Sequence, residues 1–120
     1  MKVAVIGSRG LTIDILEAFL PPETTEIVSG GAKGIDICAR KFAEENEYRY
    51  TEFLPDYKAH GRVAPLRRND QIIEYSDLVL AFWDGESRGT KYVIDRCKER
   101  GVPIKVFLNK TQPAQERASP

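Results

Sequence analysis

A chain of 120 residues has room for one domain, and 42% hydrophobic with 30% charged residues is an ordinary globular composition that excludes a disordered or fibrous class. Eighteen basic residues balance eighteen acidic ones, so no bulk attraction to nucleic acid or to an anionic membrane is indicated. The longest apolar run, Leu78–Trp83, is too short to span a bilayer and Val3–Ile6 is too short for an export signal, which makes the cytosol the expected compartment.

Val3–Ile6, a continuous apolar run ending at Gly7, reads as a strand buried on both faces, the habit of parallel sheets. From Thr12 or Asp14 the spacing predicts a helix with Ile13, Leu16, Phe19 and Leu20 on one face, ended by Pro21-Pro22. Glu26–Val28 is a second strand closed by Ser29-Gly30-Gly31. The spacing of Ile35, Cys38, Ala39, Phe42 and Ala43 then predicts a packed helix. Tyr48–Phe53 carries strand propensity, and residues 55–64 form a polar connection. Pro65 suits the first turn of a helix that puts Leu66, Asn69, Ile72 and Ile73 on one side and ends near Tyr75. Leu78–Phe82 is the strongest strand. A loop over Asp84–Gly89 leads to a helix with Val93, Ile94 and Cys97 inward, stopped by Gly101 and Pro103, and Ile104–Leu108 is the last strand. The domain is therefore expected over residues 1–108, with 109–120 a polar tail left without structure.

Strands alternating with helices imply an α/β fold: a parallel sheet covered on both faces, with right-handed crossovers. In such sheets ligands sit beyond the carboxyl ends of the strands, where helix starts present backbone N–H groups. Three loops belong at that edge: Gly7-Ser8-Arg9-Gly10, Ser29-Gly30-Gly31-Ala32-Lys33-Gly34-Ile35-Asp36, and Asp84-Gly85-Glu86-Ser87-Arg88-Gly89-Thr90-Lys91. Each joins glycine, which lets the main chain approach a phosphate, to a hydroxyl donor and a cation. A structural use stands beside each feature. Ser87 can cap a helix, Gly34 can permit close packing, and Asp36 in a helix's first turn is favourable without any ligand. No loop matches the Walker or GxGxxG patterns, so neither an NTPase nor a dehydrogenase is indicated. Cys38 and Cys97 read as small buried hydrophobes, with no disulfide expected between them. With His60 the single histidine and no CxxC, no metal site is expected.

Gly7-Ser8-Arg9, the run Ser29–Asp36, Arg68-Asn69, Ala81-Phe82-Trp83-Asp84-Gly85 and Ser87-Arg88-Gly89-Thr90 together resemble the SLOG superfamily, which takes in DprA/Smf and the LOG proteins. The similarity is to its short stand-alone branch, related to the YspA and YpsA-like proteins, and covers residues 1 to about 108. The resemblance implies a Rossmann-like three-layer sandwich with a five-stranded parallel sheet in the order 3-2-1-4-5, and a nucleotide or nucleotide-derived ligand. In LOG enzymes a PGGxGTxxE motif binds phosphate and supplies a glutamate for N-glycosidic cleavage. Gly89-Thr90 matches its Gly-Thr pair, but Val93 stands where the glutamate would be.

The expected ligand-binding set is Gly7, Ser8, Arg9, Ser29, Gly30, Gly31, Ala32, Lys33, Asp36, Arg68, Asn69, Trp83, Asp84, Ser87, Arg88, Gly89 and Thr90. Within it Trp83 could stack on a base. Asp84, Glu86 and Asp36 are the candidates for acid–base work, or for holding a magnesium ion that arrives with a phosphate; no cofactor is required. The leading expectation is a binding or sensing module for a nucleotide-like small molecule. The first alternative is a nucleotide N-glycosidic hydrolase using one of those carboxylates. The second, single-stranded DNA binding on Lys33, Arg67, Arg68 and Arg88, is opposed by the charge balance, and no membrane partner is expected. Because so short a chain offers shallow clefts, a homo-oligomer that completes the site is also anticipated.

Overall fold

The computed structural model describes residues 1–108; the tail, 109–120, lies outside the described residues. Five segments, β1 (Lys2–Gly7), β2 (Glu26–Ser29), β3 (Arg49–Glu52), β4 (Leu78–Trp83) and β5 (Ile104–Leu108), form one sheet in the order β3-β2-β1-β4-β5, parallel throughout. Four helices accompany them: α1 (Ile35–Glu45), the single turn α2 (Tyr57–His60), α3 (Ala64–Tyr75) and α4 (Arg88–Arg100). The result is a Rossmann-like α/β sandwich.

The two-residue alternation of β1 decides which helices lie where. Val3 and Val5 join Ile27, Leu80 and Phe82 in a core closed by Ile35, Ala39 and Ala43 of α1. Ala4 and Ile6 join Val28, Val79 and Ala81 in a second core closed by Ile72 and Ile73 of α3 and by Val93, Ile94 and Cys97 of α4. Both faces of β1 are thus covered, which is why its apolar run is continuous. Cys97 is fully buried and Cys38 only partly so; both are free, and burial pushes the Cys97 thiol up to about 11.

The first expected helix is not formed. Only Leu16–Phe19 winds, as a 3-10 turn, because Ile15 keeps a non-helical backbone (φ −126°, ψ 76°) and no side chain caps the turn. Packing substitutes for helicity: Leu16 is buried, and the Phe19 ring meets Phe82 and Phe107 edge-on at centroid distances of 5.2 and 4.9 Å. The connection over 55–64 is also more ordered than its polarity suggested. It holds α2, whose Asp56 carboxylate accepts from the Ala59 amide at 3.1 Å, and the 3-10 turn Gly61–Val63. α4 ends as its sequence predicts, with Gly101 in the left-handed conformation (φ 71°, ψ 24°).

Candidate functional site

β1 has β2 on one side and β4 on the other, so the chain reverses its winding direction beside β1. The carboxyl ends of these strands and the starts of α1, α3 and α4 border a cleft of about 230 Å³. Nine of the residues expected from the sequence line it: Gly7, Arg9, Ala32, Asp36, Arg68, Asn69, Ser87, Gly89 and Thr90. Ile6, Pro65, Leu66 and Val93 supply its apolar wall. Val93 therefore faces the cleft at the position where the LOG pattern carries its glutamate. Leu66, expected to point inward, is instead 36% exposed at the cleft's border.

The strands meet without room to spare at Gly7. A Cβ there would come within 2.5 Å of Ile35 Cγ1 and 2.6 Å of the Phe82 carbonyl oxygen, so no larger residue fits. Ser8 is buried and does not line the cleft. Its amide donates to Phe82 O at 3.0 Å, and its Oγ accepts from the Asp84 amide at 3.1 Å, fastening the ends of β1 and β4 together. Asp84 is also a loop-former: its carboxylate accepts from the Glu86 and Ser87 amides, both at 2.8 Å, and these bonds hold its pKa below the usual carboxylate range. Ser87 caps α4, its Oγ accepting from the Thr90 amide at 3.4 Å. Trp83 packs against the second core and donates its Nε1–H to Ser87 O at 3.0 Å, so it does not line the cleft. Glu86, Lys33 and Arg88 are exposed and outside the lining.

The loop after β2 is held by one carboxylate. Asp36 is 4% exposed, and its Oδ2 accepts from the Gly30 amide at 3.1 Å and the Ala32 amide at 3.2 Å. Its Oδ1 and the buried Ser29 Oγ have no hydrogen-bond partner among the described residues. Burial pushes the Asp36 carboxyl up to about 6, against the opposing pull of the Ala32 and Gly30 amides and of Arg68. Gly31 (φ 73°) turns the chain beneath Leu54, and Gly34 (φ 77°) lies so close to the Arg9 carbonyl oxygen that a Cβ would come within 2.5 Å of it. Arg68 closes the loop from α3. Its Nη1 donates to Gly30 O, and its Nε donates to Asn69 Oδ1 at 2.8 Å. Burial lowers the Arg68 pKa, opposed by Asp36 and Tyr57, while Arg9 pushes it further down.

Among the described residues, the charged side chains lining the cleft are Arg9, Arg68 and Asp36, so its balance is cationic. The capped start of α4 adds outward-facing backbone amides and the positive end of a 13-residue helix. Such a site can bind a phosphate or carboxylate and leave a neighbouring apolar group against Ile6, Val93 and Leu66. No group of three His, Cys, Asp or Glu side chains among the described residues could hold a metal ion. Sequence reasoning missed Asp70, which is buried and accepts from Tyr92 Oη at 2.9 Å and Arg96 Nε at 3.4 Å, tying α3 to α4. An acidic residue on the apolar side of a helix beside Asn69 was the available signal.

No helix among the described residues is long and apolar enough to cross a membrane. The chain matches no protein-family model and no solved structure. It is 33% identical over 87 residues to translation initiation factor IF-2 of Rubrobacter xylanophilus, a match that covers 72% of this chain but 12% of that protein. It is 31% identical over 90 residues to the Gene 61 protein of Mycobacterium phage D29, which spans 70% of this chain and 72% of the phage protein. The chain belongs to the family of that phage protein.

Proposed function

We propose that this protein binds a nucleotide or a nucleotide-derived phosphate ligand at the carboxyl edge of its sheet, as a binding or sensing module of SLOG type. The observation that carries the reading is that Arg9, Arg68 and the capped start of α4, from three separate parts of the chain, border one cleft. Charge-assisted hydrogen bonds are worth about 1.5–3 kcal/mol each. Three or four of them, less the entropy of association, reach the ~8 kcal/mol of a micromolar complex. The reading requires no cofactor, and it places the protein in the cytosol, where such ligands are abundant. Titration calorimetry with nucleoside mono- and diphosphates, cyclic nucleotides and ADP-ribose at low salt tests it. Saturable binding to at least one, lost in Arg9→Ala and Arg68→Ala, is expected; flat traces from folded protein would sink it.

A second reading has one observation in its favour. Asp36 is the carboxylate among the cleft's lining residues, and its pKa of about 6 lets it exchange a proton near neutral pH. That suits an N-glycosidic hydrolase using Asp36 in place of the glutamate absent at Val93. Release of free base from nucleoside monophosphates, abolished in Asp36→Asn, would support it. Chromatography showing no base at high enzyme concentration would remove it.

A further inference from the structure

Nine large apolar side chains are exposed among the described residues, and four of them, Leu54, Tyr57, Val63 and Leu66, lie between residues 54 and 66. That stretch borders the cleft. Leu66 and its neighbour Pro65 line it, Leu54 lies over Gly31 at 2.8 Å from where a Cβ would be, and Tyr57 acts electrostatically on the Arg68 guanidinium. Tyr57 is 61% exposed, yet its backbone is fixed by the Asp56 cap on α2. An aromatic ring held open to solvent beside a buried arginine has no packing role to explain it. The cleft itself, at about 230 Å³, is smaller than the ~300–1,000 Å³ of sites that enclose a drug-sized ligand. A phosphate and a sugar fill it, and any further group must lie on the rim. Trp83, the aromatic residue that the sequence offered for stacking, is committed to Ser87 and the second core.

We propose that Tyr57 and Leu66, with Leu54 beside them, form an apolar shelf on which the flat ring of the ligand lies, so that the site takes a nucleoside monophosphate in preference to a sugar phosphate. This assignment rests on the phosphate-binding reading above. The phosphate sits between Arg9, Arg68 and the start of α4, and the ring lies against the shelf supplied by α2 and the first turn of α3. Stacking and apolar contact make the ring a source of affinity that does not depend on hydrogen-bond readout.

The test compares the common nucleoside monophosphates with ribose 5-phosphate by titration calorimetry, in the wild-type chain and in the double variant Tyr57→Ser, Leu66→Ser. Both side chains are exposed, so the variant should fold, and an unchanged melting temperature establishes that it does. The expected result is at least one monophosphate binding about tenfold more tightly than ribose 5-phosphate to the wild type. In the double variant that preference falls to within about twofold, while ribose 5-phosphate affinity stays put. If every monophosphate binds no better than ribose 5-phosphate, the shelf is refuted and the phosphate site stands. If the preference survives the double substitution, the ring lies elsewhere and the assignment fails. Should the variant instead lower the particle mass by light scattering with the preference intact, the patch is a subunit contact and the assignment is likewise overturned. Failure of the wild type to bind either class removes both the shelf and the phosphate reading.

Discussion

Asp36→Asn removes a buried charge while leaving an oxygen to accept from the Gly30 and Ala32 amides. The carboxyl's ordinary value is 3.8, and in the folded protein it is pushed up to about 6, chiefly by burial. At ~1.4 kcal/mol per pKa unit, that rise of roughly two units makes ionisation about 3 kcal/mol less favourable in the folded than in the unfolded chain. The folded state holds the proton more tightly, so the stability linked to this group is complete below pH 3.8 and is lost as pH rises through 6. Asparagine cannot ionise, and its amide can donate to the Ser29 Oγ that now has no partner among the described residues. Part of the gain is offset because half-buried Arg68 loses a counter-charge. The net expectation is a variant more stable than wild type by about 2 kcal/mol at pH 8 and roughly equal to it at pH 4. In a domain of this size that is a rise in Tm of about 8 °C at the higher pH. Urea denaturation at both pH values measures it. A variant less stable at pH 8, or a difference that does not change with pH, would refute the reasoning.

The glycines of the second loop separate two kinds of constraint. Gly30 has no left-handed backbone, and a Cβ there would meet only the end of a flexible side chain, Arg68 Nη1 at 2.5 Å. Gly30→Ala should therefore cost about 1 kcal/mol in denaturation, the scale of one displaced hydrogen bond, yet weaken phosphate binding about tenfold by calorimetry. Gly34→Ala meets main chain, the Arg9 and Leu11 carbonyl oxygens at 2.5 and 2.8 Å, at a φ of 77°. It should cost about 3 kcal/mol or more, read as a lower urea midpoint. Tyr92→Phe takes the hydroxyl donor from the buried Asp70 carboxylate and should cost about 1–3 kcal/mol in thermal melts, with ligand affinity unchanged.

How much of this was legible in the sequence depended on whether the deciding contact was local. The sheet order and the α/β class followed from continuous apolar runs such as Val3–Ile6 and Leu78–Phe82, which only a strand covered on both sides requires. The segment from Thr12 to Leu20 carried an equally regular helical spacing and failed as a helix, because Phe19 packs on Phe82 and Phe107 from an irregular backbone. No local pattern reports on such a distant partner. The cleft was legible as three glycine-bearing loops, since strand-to-helix turns of a parallel sheet share one edge. Division of labour within those loops was not. Ser8 and Asp84 read as ligand contacts, but they spend their polar atoms on the backbone of other segments. Leu66 and Tyr57 were hidden for the opposite reason: periodicity assigned Leu66 to the interior, and polarity made the α2 segment look like a plain connection.

The claim at the centre is that turns far apart in sequence act as one anion site. It is tested most directly by following backbone amide NMR signals while a nucleoside monophosphate is added. The account predicts that the amides of Arg9, Ala32, Gly89 and Thr90 shift together along a single binding curve, while those of β5 and of the sheet's opposite edge stay still. Shifts confined to one loop, or scattered over the surface with unrelated midpoints, would contradict it.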